Sequence, residues 1–131
     1  MGIRGAVAIL AISAVASVAT AGPAPAATDA DRVRAVLTTM NNSYNRSDFV
    51  EFAAHLCADM LQTPGFAAGW YQSRRADGPT RITINSVNIA GDDAIANVRF
   101  EAAERVKTLD IDFVRENADW KACRYNAGQT V

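Results

Sequence analysis

From residue 31 the apolar positions recur with a period near that of a helix. Val33, Val36, Leu37, Met40 and Tyr44 form one stripe, which predicts an amphipathic helix ending near Asn45. Asp29 or Asp31 is placed to cap its first turn, where backbone N–H groups lack partners. A polar stretch, "NRSD", interrupts the pattern. Phe49, Phe52, Ala53, Leu56 and Met60 then make a second stripe, read as one continuous helix that Pro64 and Gly65 close by about Thr63. Asp48 and Glu51 have the spacing of a reciprocal capping box at its start, with Ser47 as a competing cap. "GFAAGWYQSRR" allows a short third helix over 66–73, weakened by Gly69 within it, with Arg74 and Arg75 in the loop beyond.

After the turn "ADGPT" the period changes to two. Ile82 and Ile84 alternate with polar residues, and Val87 and Ile89 continue on the opposite parity, so a bulge near Asn85 and Ser86 is expected to return both pairs to one face. "AGDD" turns the chain into a long strand over 94–106, with Ala96, Val98, Phe100 and Ala102 on one side and Asn97, Arg99 and Glu101 on the other. Leu109, Ile111 and Phe113 oppose Asp110 and Asp112 on the next strand. A turn at "ENAD" leads to "WKACRY", where strict alternation puts Trp120 and Ala122 on one face and Cys123 and Tyr125 on the other. Helices first and then an antiparallel meander with one polar face is an α+β layout, and the connections are too short for parallel crossovers.

The first residues do not fit this domain. Arg4 precedes a run from Gly5 to Gly22 without charge, followed by small residues and prolines, as in an export signal. Cleavage is expected after Ala21 or, preferably, Ala26; retention as a membrane anchor is the alternative. Residues 27–30 are then a flexible lead-in, 31–125 a single domain and 126–131 a frayed tail. The leader holds one basic and no acidic residue, so the remaining 105 residues carry 12 Lys and Arg against 14 Asp and Glu. That balance gives no electrostatic footprint for nucleic acid.

Two N-terminal helices, the segment "GFAAGWY" and an antiparallel sheet ending in "DWKACRY" resemble the nuclear transport factor 2-like (NTF2-like) superfamily. In that fold helices pack into the concave side of a bent sheet to form a cone. The leader followed by "NNSYNRSDFVEFAAHLC" and the closing "WKACRY" is similar to small exported NTF2-like proteins of mycobacteria. The resemblance spans 31–125. It implies a pocket-bearing or interaction domain, and it brings with it isomerases and hydratases that use Asp, Tyr or His groups in the cone. No motif here identifies such groups, and no catalytic residue is carried over.

The stretch "FAAHLCADM" places the chain's single histidine, His55, beside Cys57. On a helical wheel set to zero at Phe49, Cys57 falls at about 80° and His55 at about 240°, so the two side chains do not share a face. This argues against a thiol with its base and against a metal site of His55, Cys57 and Asp59. An exported chain with two cysteines has one intramolecular pairing, Cys57 with Cys123, and two free or intermolecular thiols are the alternative.

Asp110 and Asp112 read as a solvated sheet face. Trp70 either plugs the small core or joins Tyr71, Tyr44, Phe66 and Phe100 around a pocket, where Arg74 and Arg75 would meet an acidic group. No phosphate loop, calcium loop, serine elbow or zinc-helix motif is present, so neither a metal nor a cofactor is implied. The expected function is an exported domain of the cell envelope or medium that binds an apolar small molecule or a protein without intrinsic catalysis. An isomerase- or hydratase-like enzyme using Asp and Tyr in the cone is the alternative. A homodimer through the sheet is compatible with the pattern. Membrane association follows only if the leader is retained.

Overall fold

The computed structural model describes residue 2 and residues 25–127. The expected leader therefore lies almost wholly outside the described residues. Among the described residues four helices, α1 (Asp29–Asn45), α2 (Phe49–Ala53), α3 (Ala58–Leu61) and α4 (Phe66–Asp77), precede four strands, β1 (Arg81–Ala90), β2 (Asp93–Glu101), β3 (Val106–Glu116) and β4 (Asp119–Ala127). The strands form one antiparallel meander in sequence order, the α+β arrangement expected.

The first helix begins at Asp29, two residues before the expected start at residue 31. Thr28, rather than either aspartate, is the cap: its hydroxyl accepts from the Asp31 N–H at 3.1 Å, and the Asp31 carboxylate accepts from the Thr28 N–H at 3.3 Å. Residues 29–30 are thus helical instead of a flexible lead-in. Val33, Leu37 and Met40 are buried against the sheet. At the second helix Asp48 accepts from the Glu51 N–H at 3.2 Å, but the Glu51 carboxylate turns to Arg46 at 2.6 Å, so only half of the box forms.

The second helix is not continuous. It breaks at residues 54–57, where the Cys57 N–H donates to the Ala122 carbonyl at 2.9 Å and the Ala122 N–H donates to the His55 carbonyl at 2.8 Å. Leu56 makes an isolated parallel bridge with Ala122 and is buried. Cys57 itself is extended and opens α3. Pairing with strand β4 satisfies backbone groups that the helix would otherwise have used, so tertiary contact overrides local propensity. The helical-wheel separation of His55 and Cys57 therefore does not apply.

In the sheet, the register between β1 and β2 shifts between Ile84 and Ser86, the bulge expected from the change of parity. Strand β2 ends at Glu101 instead of running to Val106, because Ala102 donates to the Arg105 carbonyl at 2.8 Å and closes a hairpin. A second shift, between Asp112 and Phe113 of β3, leaves Cys123 as the extra residue of β4 between Ala122 and Arg124. This bulge corrects the expected facing of "WKACRY": Tyr125 returns opposite Ile111 and packs with Trp120 and Ala122 against the core. Asn126 and Ala127 pair with Asp110 and Leu109, so the strand extends into the expected tail; residues 128–131 lie outside the described residues.

The core joins Val33, Leu37 and Met40 of α1, Phe52, Leu56 and Trp70, and the inward residues Ala94, Ala96, Val98, Ile111, Phe113, Trp120 and Ala122. Small alanines at the centre of the sheet let the helices approach closely. The opposite face carries a polar row in which Asn85 donates to Asn97 at 2.8 Å and Asn97 to Asp110 at 2.9 Å. Asp112 accepts from Asn126 at 3.1 Å. The Asp110 and Asp112 carboxylates thus belong to hydrogen-bonded rows on the outer face.

Candidate functional site

Between α1, α4 and the concave face of the sheet lies a cavity of about 410 Å³. That is within the range of roughly 300–1,000 Å³ that encloses a small ligand. Leu37, Met40, Phe52, Phe66 and Trp70 wall it from the helices, and Ile82, Phe100, Leu109 and Tyr125 from the strands. Helix α4 is longer than expected because its last turn is tied down. Arg74 donates to the carbonyls of Tyr44 and Asn45 at 2.9 and 2.8 Å. Both carbonyls belong to the last turn of α1, where intrahelical donors run out; that of Tyr44 also accepts from the Ser47 N–H at 3.0 Å. Arg74 and Arg75 accordingly lie in the last turn of α4 and not in a loop, and Arg74 serves the scaffold.

Of the aromatic residues proposed for a pocket, Tyr44, Phe66, Trp70 and Phe100 line the cavity. Tyr71 does not. Its ring lies 5.0 Å from Trp70 and 5.7 Å from Phe49 on the outer side of α4, and the residue is 40% exposed. Trp70 is both plug and wall: Tyr44, Phe49 and Phe52 each surround it at a centroid distance of 5.3 Å. Its indole N–H is buried without a partner among the described residues.

A polar row runs along one wall. The Tyr44 hydroxyl lies 2.9 Å from Ser73 Oγ, and Ser73 Oγ donates to Asp77 Oδ2 at 3.4 Å. Both Asp77 oxygens also accept from Arg105 Nη2, at 2.9 and 2.7 Å. Since a carboxylate only accepts, the Ser73 proton is directed to Asp77 and Tyr44 donates to Ser73. Nearby, Asn41 donates to the Thr80 carbonyl at 3.2 Å and accepts from the Thr80 hydroxyl at 2.8 Å. The Tyr125 phenol is pushed well up by burial. Arg105 and Lys107, both exposed, stand at the open end; Arg105 falls within the strand expected over 94–106, and periodicity assigns Lys107 to no element.

His55 lies away from this cavity, at the break before α3. Burial, then the charge of Lys121, lowers its pKa, against weaker opposing effects of Glu51 and Asp119. Cys57 and Cys123 stand at disulfide distance, with Cα atoms 4.9 Å apart. Among the described residues no group of three or more His, Cys, Asp or Glu side chains could hold a metal ion, and no helix is long and apolar enough to cross a membrane.

No protein-family model matches the chain, and no curated protein matches it in sequence. Solved structures do match in shape. A cystatin-like fold protein of unknown function from Nostoc punctiforme superposes with a TM-score of 0.57 at 12% identity, covering 76% of this chain and 91% of that one. An NTF2-like protein of unknown function from Shewanella oneidensis gives 0.53 at 12% identity over 70% and 92%. AclR of Streptomyces galilaeus, a candidate hydroxylase, gives 0.52 at 9% identity over 72% and 79%. At such identities the likeness is one of architecture. The chain thus has the NTF2-like, cystatin-like fold, with helices seated in the concave side of a four-stranded antiparallel sheet.

Proposed function

We propose that the protein is an exported binding domain whose cone holds a small, mostly apolar molecule. The observation that carries this reading is the cavity itself, a space of about 410 Å³ walled by Leu37, Met40, Phe52, Phe66, Trp70 and Phe100. Apolar lining of that extent favours an occupant that removes it from water. The outer sheet face, with its rows of Asn and Asp, is less suited to bury a partner protein. Export is supported by a leader with Arg4 before the uncharged run from Gly5 to Gly22 and by a cysteine pair placed for a disulfide, a bond that persists in oxidising compartments.

The isomerase- or hydratase-like alternative needs a carboxylate free to take a proton in the cavity. Asp77 is the carboxylate among the lining residues, and Arg105 and Ser73 engage both of its oxygens. This arrangement favours binding over proton transfer.

Titration with the neutral dye Nile red tests the reading. Saturable one-to-one binding with a blue-shifted emission is expected. A Gly69→Phe variant should lose it while keeping its circular dichroism, because Gly69 lines the cavity and an added Cβ there meets no atom within 4 Å. Absence of saturable binding, or binding unchanged in a folded Gly69→Phe protein, would overturn it.

A further inference from the structure

The polar groups that line the cavity are largely consumed by one another. Tyr44 gives its proton to Ser73, Ser73 to Asp77, and Asn41 and Thr80 bond reciprocally. What remains is uneven. The Lys107 ammonium makes no hydrogen bond or ion pair among the described residues, and neither does the Tyr125 hydroxyl. Arg105 uses a single nitrogen, Nη2, on Asp77, which leaves its other guanidinium N–H groups available. With the buried, unpartnered indole N–H of Trp70, all four remaining groups can donate, and two of them are cationic.

Charge points the same way. Asp77 offsets Arg105 through their ion pair, so Lys107 is the uncompensated charge among the lining residues. Lys107 and Leu109 have the same parity on β3, so the ammonium continues the row of inward side chains to the open end. An apolar chamber with a cationic, donor-rich mouth is complementary to a molecule with a hydrocarbon body and an acidic head.

We propose that the occupant is an anionic amphiphile, its carboxylate or comparable acid group held at the mouth by Lys107 with help from Arg105 and from the phenol of Tyr125, which lies deeper in the wall, and its apolar body lying between Trp70 and Phe100. This rests on the binding reading above and names the ligand class for that site. Arg105 has a second duty in the pair with Asp77, so Lys107 and Tyr125 are the residues that separate head recognition from the integrity of the wall.

Competition for Nile red by three compounds with one tail, decanoate, 1-decanol and decylamine, distinguishes the heads. Decanoate should bind about fivefold more tightly than decanol at low salt, the scale of a partly exposed charge interaction. Decylamine should bind more weakly than either. The gap between decanoate and decanol should shrink in 0.5 M salt, about 3–5 Å of screening length, and close in a Lys107→Gln, Tyr125→Phe double variant that still binds decanol. Equal binding of decanoate and decanol, a preference for decylamine, or a gap that survives the double variant would overturn the acidic head while leaving the apolar site standing. Failure of all three compounds to displace bound Nile red would also overturn it. Failure of Nile red and the decyl compounds alike would overturn the binding reading as well.

Discussion

The backbone of Cys57 is hydrogen-bonded to that of Ala122 at 2.9 Å, one residue before the second cysteine. Main-chain pairing and the sulfurs therefore join the same two places, the break before α3 and the last strand. The protein prepared under oxidising conditions should show a mass two hydrogens below the fully reduced value and no alkylatable thiol. Reduction, or the double substitution Cys57→Ala, Cys123→Ala, should lower the unfolding free energy by about 2–4 kcal/mol in a denaturant titration, on the scale of a long closed loop. Two reactive thiols in the native protein would exclude the bond.

His55 should titrate below its ordinary value of 6.5, because burial and Lys121 disfavour its charged form. The unfolded chain then binds the proton more readily than the native one. The corresponding stability is full above the unfolded pKa and is lost as pH falls through the folded pKa. Nuclear magnetic resonance of the imidazole gives the midpoint directly. Denaturant midpoints for the protein should decline on acidification through this window more steeply than those of a His55→Gln variant.

The β3–β4 hairpin turns on Asn117 and Ala118, both with positive φ, 51° and 71°. Asparagine tolerates this region, whereas alanine at the second position carries a Cβ penalty. Ala118→Gly should stabilise the protein by about 1 kcal/mol, seen as a higher melting temperature, since Ala118 is exposed and no packing is lost.

Gly69 sits inside α4 with room for a side chain. Gly69→Ala should raise stability by about 0.5–1 kcal/mol through helix propensity. Because a single methyl leaves most of the cavity open, the dye affinity should change little. The contrast with Gly69→Phe separates the helix effect from occupancy.

Much of the fold was legible because the hydrophobic period is unambiguous where one element faces one core. Val33 to Tyr44 mark α1, and the parity switch after Ile84 marks the first bulge. The break after Ala53 carries no local sign, since no glycine or proline lies in 53–58; it is set by Ala122, far along the chain. The mouth of the cavity was hidden for a similar reason. Arg105 and Lys107 sit in and beyond a turn that periodicity had drawn as one long strand, and only the hairpin closed by Ala102 and Arg105 turns them toward Asp77 and Leu109. The aromatic wall was easier to find because large rings beside helical glycines announce packing. Tyr71 was misassigned by adjacency, since neighbours on a helix point about 100° apart.

The extra residue in β4 has a reach beyond local geometry. Cys123 occupies the position where the strand changes phase, so the residues before and after it obey opposite inside–outside rules. Length in this segment is therefore as informative as composition. A chain without Cys123 would set the tyrosine two places after Ala122, inward by plain alternation, and lose only the bulge and its sulfur; a chain with one more residue there would keep every apolar side chain and still turn the phenol outward, opening the cone's wall.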